Sequence, residues 1–178
     1  MSKLFEKLVL LFHKKEKYPP KIKVCWDFLA EILGDLRFLT DEEADQLGSL
    51  NDHDPKVLKE IIKEFIVPHY YFFSQKNQQK IKNSLIYYLA TNSPKLDRVF
   101  PSRHINMDTP GKLFFDLVWK ELYDSDLPVH IDVDNYIEDC SNQYIMSLFS
   151  NDDENDKTHH IDGEPSLANV IFRLRQDS

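Results

Sequence analysis

His130, Asp132 and Asp134 stand at alternating positions in the stretch LPVHIDVDNYIEDC, Leu127 to Cys140. On an extended strand the three would share one side, with Val129, Ile131 and Val133 on the other, as a metal or proton-transfer site is presented. His159, His160, Asp162 and Glu164 form a second group of hard or borderline ligands. One reading is therefore a metal-dependent hydrolase or nuclease using His130, Asp132 and Asp134, supported by His159 and His160. The spacings do not complete such a site. Counted as a calcium loop from Asp152, the sixth position is Lys157 where the turn needs glycine; counted from Asp132, the fifth is Tyr136. HExxH, GxSxG, P-loop and GxGxxG patterns are absent, and four glycines are few for a phosphate-binding loop. No catalytic residue, metal ligand or cofactor is expected, and the acids default to helix caps and solvated loops.

Charge is the stronger signal. Between Lys120 and Lys157 there are eleven acids and no Lys or Arg. From Glu121 to Glu164 thirteen acids stand against one lysine, a net charge of −12, while the rest of the chain carries +4 of the total of −8. Crowded like charges repel one another and cost the fold stability, so a face that meets a cationic partner is the natural explanation. An acidic surface that merely keeps the chain soluble is the plain alternative. The region from Lys56 to Lys112 is opposite in sign, with ten basic residues against four acids, and it interleaves Tyr70, Tyr71, Tyr87 and Tyr88. Basic residues with aromatics suit single-stranded nucleic acid. These tyrosines lie beside apolar stripe positions, however, and the net charge repels phosphate, so direct nucleic-acid binding is not expected. Attraction between the basic patch of one copy and the acidic patch of another permits self-association.

The elements that must hold these residues are helical by their spacing. At 178 residues the chain suits one domain, residues 1–178. Apolar residues recur in steps of three and four through Val24–Leu33, with Gly34 where a left-handed cap would end the helix. Thr40 with Glu43 has capping-box spacing, Asp54-Pro55 is a cap and first-turn pair, and Pro68 should kink or end the helix that follows. Ser74 can cap a helix carrying Ile81, Leu85 and Leu89, and the run Tyr70–Phe73 reads as core filler before it. Residues 91–108, with Pro94 and Pro101, form the longest internal connection, and a further stripe spans Leu113–Leu122. The period continues from Val133 through Tyr136, Ile137, Cys140, Tyr144 and Leu148, so the alternating stretch is expected to start a helix reaching Phe149, capped by Asp132 or Asp134. Residues 150–166 form an acidic loop, and Leu167–Leu174 is a final helix or strand. The expected fold is all-α, about six to seven helices in a compact bundle-like domain; should 128–133 be extended instead, a short β-hairpin or strand pair with 169–175 is the one β feature the pattern allows.

Leu4, Phe5, Leu8, Leu11 and Phe12 suit a first helix packed on the core, and the apolar run Leu8–Phe12 is too short for a secretory core. No stretch approaches the roughly 18 apolar residues of a membrane span. Cys25 and Cys140 form no CxxC and are expected as buried free thiols, which together place the protein in the cytoplasm. The leading expectation is an acidic binding protein that neutralises a basic partner, as an immunity or antitoxin-type inhibitor of a nuclease toxin does, since a nuclease groove must be cationic. In profile the chain resembles the cognate immunity proteins of bacterial competition: short, acidic and poor in motifs. The expected partner surface is Asp124, Asp126, Asp132, Asp134, Glu138 and Asp139, with Tyr136 or Tyr144 as an aromatic anchor. A structural or adaptor module with an incidentally acidic surface is the remaining class.

Overall fold

The computed structural model describes residues 19–102, 105, 107–149 and 165–176, and the expected first helix and the acidic loop at 150–164 lie outside them. The architecture is mostly helical with one short strand pair. Strand β1, Ile22–Val24, comes first, so Val24 and Cys25 leave the expected helical stripe. Helix α1 is only Asp27–Glu31 and buries Phe28, Leu29 and Ala30. Gly34 follows at φ +47°, a left-handed conformation that glycine adopts without a Cβ penalty, and turns the chain as its position suggested.

Local signals are met where the sequence states them. Thr40 caps helix α2, Asp41–Ser49, in a reciprocal capping box with Glu43. Asp54 accepts from the Lys56 amide at 2.8 Å ahead of helix α3, Pro55–Ile61. Pro68 has no N–H to give back to the preceding turn; the chain answers with a wide π turn at Ile62–Ile66 and continues as helix α4, Val67–Phe72. Ser74 caps the long helix α5, Gln75–Ala90. After a 3-10 turn at Leu96–Arg98 come the short helix α6, Val99–Ser102, and helix α7, Gly111–Tyr123. The two longest helices enclose the core with α3 and α4. Phe65, Phe100, Phe114 and Phe115 are fully buried there beside Tyr88, each phenylalanine contributing about 2–3 kcal/mol by leaving water. Within the aromatic run only Tyr70 and Phe73 are core; Tyr71 and Phe72 are exposed.

The continuous helix expected from Val133 to Phe149 does not form. Asp132 turns its carboxylate onto the Asp134 amide and opens a 3-10 turn, Val133–Asn135. Strand β2, Tyr136–Glu138, follows, and helix α8 is only Asn142–Met146, capped by Ser141. Two forces override the 3.6-residue period. β2 pairs in parallel with β1, Ile22 against Tyr136, Lys23 against Ile137 and Val24 against Glu138, and Cys140 is joined to Cys25. The strand pair is therefore 22–24 with 136–138, and not 128–133 with 169–175. The final element is a helix, α9, Leu167–Gln176, seated on α3 by the buried Leu167 and Val170. Its Arg173 reaches Glu60 at 2.5 Å and Glu64 at 2.8 Å. No helix among the described residues is long and apolar enough to cross a membrane.

The disulfide corrects the expectation of free thiols, which rested on the absence of CxxC spacing; cysteines 115 residues apart leave no local mark of their pairing. Closing a loop of that length stabilises a fold by about 4–5 kcal/mol in the chain-entropy view. Urea denaturation of the Cys25→Ser, Cys140→Ser double variant should accordingly show a loss of about 3–5 kcal/mol relative to the oxidised protein, and adding dithiothreitol should remove most of that difference.

Candidate functional site

The segment between α7 and α8 carries the expected partner surface, and its course follows from local chemistry. α7 ends at Asp124, a non-glycine residue held in the left-handed region at φ 44°, and the chain leaves as loop. Pro128 and the Asp132 turn keep the stretch from coiling, and β2 brings it back against β1. Asp139 donates its amide to the Val24 carbonyl at 3.0 Å, so the ladder runs to the end of the strand. Cys25 and Cys140 follow directly and lock both strands to the core, Cys25 itself being fully buried.

The expected acids fall into three settings. Glu138 and Asp139 are matched by the protein's own lysines, Lys95 at 2.5 Å and Lys23 at 2.6 Å. Glu121, just upstream, is likewise bound by Lys59 at 3.0 Å. Asp124 and Asp126 line an open cleft of about 500 Å³ together with Lys56, Lys59 and Lys120, a setting of mixed sign. Asp132 and Asp134 are exposed, and among the described residues no lysine or arginine pairs with either. Asp132 spends its oxygens on the Asp134 amide and the Asn135 side-chain amide. Beside these two lie apolar side chains open to solvent: Val129 at 90%, Val133 at 39% and Ile137 at 48% exposure. Carboxylates and exposed aliphatics on one short segment are the composition of a protein-binding surface, with the apolar groups available for burial and the charges for orientation.

The aromatic residues take unequal roles. Tyr136 is half-buried with its ring 5.7 Å from that of Tyr87, which leaves part of it available at the surface. Tyr144 is an internal strut. Its hydroxyl donates to the Lys23 carbonyl at 2.7 Å and its ring lies 5.0 Å from Phe28. Burial, with the Asp139 charge adding to it, pushes the Tyr144 phenol up to about 12.

The metal reading meets a geometric obstacle. His130, Asp132 and Asp134 do not bring three ligand atoms together; among the described residues only Cys25, Asp27 and Cys140 do, within 4.8 Å. Both sulfurs of that group are spent in the disulfide, and a disulfide sulfur is not a thiolate ligand. His159, His160, Asp162 and Glu164 lie outside the described residues. The basic region from Lys56 to Lys112 is largely engaged within the fold. Lys63 pairs with Glu60 and Lys112 with Asp116, Lys80 donates to the Ser147 carbonyl, and Lys82 lies 4.6 Å over the Tyr123 ring. A second cleft, about 190 Å³, is lined by Phe72, Phe73, Leu148 and Phe149 with Arg37 and His69. Nothing in the sequence pattern marked it, because its residues come from distant turns.

The hydrogen bond from Lys23, helped by Ser141, holds the Asp139 carboxyl down at about 2, against the usual 3.8. A depressed pKa contributes stability that is present above the usual value and is lost as pH falls through the folded one. An NMR titration should therefore place the Asp139 midpoint near 2, and Lys23→Gln should return it toward 3.8.

No family model, curated protein or solved structure matches this chain, so the case for its function rests on the geometry of the segment itself.

Proposed function

We propose that the protein is an acidic binding protein that neutralises a cationic partner, in the manner of an immunity or antitoxin-type inhibitor, and that its contact surface is the stapled segment from Asp124 to Asp139. One observation carries the reading. The segment presents Asp132 and Asp134 without a lysine or arginine partner among the described residues, next to Val129, Val133 and Ile137 open to water. Exposed carboxylates that no lysine or arginine among the described residues neutralises, fixed beside aliphatics that the fold leaves uncovered, favour association with a positive and partly apolar surface. A nuclease toxin suits that description because its groove must hold phosphates. Within the surface, Asp132 and Asp134 take the leading part and Tyr136 supplies a partly exposed aromatic edge. Asp124 and Asp126 contribute from the cleft they share with Lys56, Lys59 and Lys120. Glu138 and Asp139 serve mainly to hold β2 in place through Lys95 and Lys23.

The compartment belongs to the same proposal. The expectation of a cytoplasmic protein draws on the short N-terminal apolar run, the lack of a long apolar stretch and free thiols; the last of these gives way, and bridged cysteines persist chiefly in oxidising surroundings. We therefore place the meeting with the partner in an oxidising compartment, where an exported toxin would be intercepted before it reaches nucleic acid.

Two measurements test this. Immobilised protein should retain a basic protein from its native source at low salt and release it at high salt; with Asp132→Lys and Asp134→Lys combined, affinity should fall by about 10- to 100-fold and lose most of its salt dependence. Equal retention by the double variant would end the reading. Alkylation of thiols in intact cells before lysis should leave Cys25 and Cys140 unlabelled; labelling of both would return the protein to a reducing compartment.

A further inference from the structure

We propose that the open edge of β2 receives an extended, lysine- or arginine-rich segment of the partner as an added strand; this deepens the reading of the acidic segment as a partner surface and rests on it. The register decides which backbone groups are free. With Val24 opposite Glu138 and the Asp139 amide on the Val24 carbonyl, the parallel ladder uses the N–H and C=O of Ile137 and the N–H of Asp139. Alternation then turns the C=O of Tyr136 and both backbone groups of Glu138 to the opposite side. The Tyr136 amide is already satisfied by Val133 within its turn. For Tyr136 C=O and for Glu138 N–H and C=O, no partner from another segment occurs among the described residues.

The other edge of the sheet is closed. The Lys23 carbonyl accepts from Tyr144, the Cys25 amide donates to Ser84 Oγ at 3.2 Å, and β1 packs on α5. The sheet therefore offers one side only, and it is the side on the acidic segment. An unpaired edge invites a further strand, whose main chain supplies affinity while its side chains supply choice.

Charge selects the occupant. Asp132 and Asp134 stand at the entry to β2, and neither is paired with a lysine or arginine among the described residues. An incoming basic strand meets those carboxylates and covers the exposed Ile137 with its aliphatic stems. A second copy of β2 is the wrong occupant. Edge-to-edge pairing of two copies would run antiparallel about Glu138, set the two Glu138 side chains opposite each other and draw together two acidic segments, and like charges facing each other across strands are destabilising.

The position of the edge allows a clean test. Proline at residue 138 deletes the outward N–H and leaves the ladder to β1 intact, since proline is tolerated where its missing N–H faces away from the sheet. The Glu138→Ala variant controls for the lost Lys95 ion pair. The probe is a fluorescein-labelled alternating lysine–valine peptide of roughly ten residues, read by anisotropy at low salt. Both variants lose the Glu138 carboxylate alike, and Glu138→Pro should bind about tenfold more weakly than Glu138→Ala, the loss of one good hydrogen bond. In the wild type, saturation with the peptide should slow exchange of the Glu138 amide about tenfold or more, a readout that does not depend on any variant folding. Failure of the peptide to bind, equal affinity of Glu138→Pro and Glu138→Ala, or unchanged Glu138 exchange under bound peptide would each overturn the added strand. The Asp132→Asn, Asp134→Asn variant separates this from the broader reading. Where it abolishes salt-sensitive capture of the basic partner while the edge tests fail, only the added strand falls; where it changes nothing, the acidic surface falls with it.

Discussion

Three residues of parallel pairing are too few to hold a strand in water, so β2 depends on what is attached to its ends. The bond between Cys25 and Cys140 is the chief attachment. It joins the exit of β1, which is buried against α5, to the exit of β2, which otherwise belongs to a long solvent-facing excursion between α7 and α8. Around it sit weaker links of the same sense: Lys95 to Glu138, Lys23 to Asp139, and the Tyr144 hydroxyl on the Lys23 carbonyl. Each exposed ion pair is worth at most about 1 kcal/mol, well below the loop-closure contribution of the disulfide. The covalent link therefore decides whether the acidic segment has a defined shape, and the charges refine it.

This arrangement also explains how a one-signed region is tolerated. Its carboxylates are not left to repel one another uniformly. Lysines borrowed from β1, α3 and the turn before α6 meet three of them, and Asp132 is absorbed into its own turn. Part of the basic surplus elsewhere in the chain, Lys23, Lys59 and Lys95, is thus the counterpart of the acidic segment. Among the described residues, the carboxylates of the segment that stay exposed without a lysine or arginine partner include Asp132 and Asp134. Such carboxylates beside uncovered aliphatics are better suited to orienting one partner than a diffuse acidic coat would be.

Much of the helical frame was legible in the sequence. The Thr40–Glu43 box, Asp54-Pro55, Ser74 and Gly34 act through backbone groups within a few residues, so their chemistry can be read from neighbours alone. Pro68 marks a kink or stop, and its lack of an N–H appears as a π turn within a helix that goes on. The site was legible in its charge but not in its shape. Val133, Tyr136, Ile137, Cys140 and Tyr144 do repeat at helical spacing, and locally nothing forbids a helix. The main competing contacts come from residues more than a hundred positions away: Ile22–Val24 for the ladder, Cys25 for the bridge and the Lys23 carbonyl for Tyr144. The same distance hid the disulfide, whose two cysteines each look like ordinary apolar helix positions.

Those remote contacts give the acidic segment properties that a helix would not have had. A helix over Val133–Phe149 would have satisfied its backbone internally and turned Tyr136, Ile137 and Cys140 toward the core, leaving a solvated acidic face and little else. As a strand, the same residues expose Ile137 and leave the backbone of Glu138 unpaired on one side. The chain gives up a run of internal hydrogen bonds and buried side chains to adopt this form. The disulfide offsets that cost, because a bridge between Cys25 and Cys140 draws the segment against β1. A segment held open in this way, with its edge and its carboxylates facing the same solvent, is better explained by a partner that covers it than by the stability of the isolated chain.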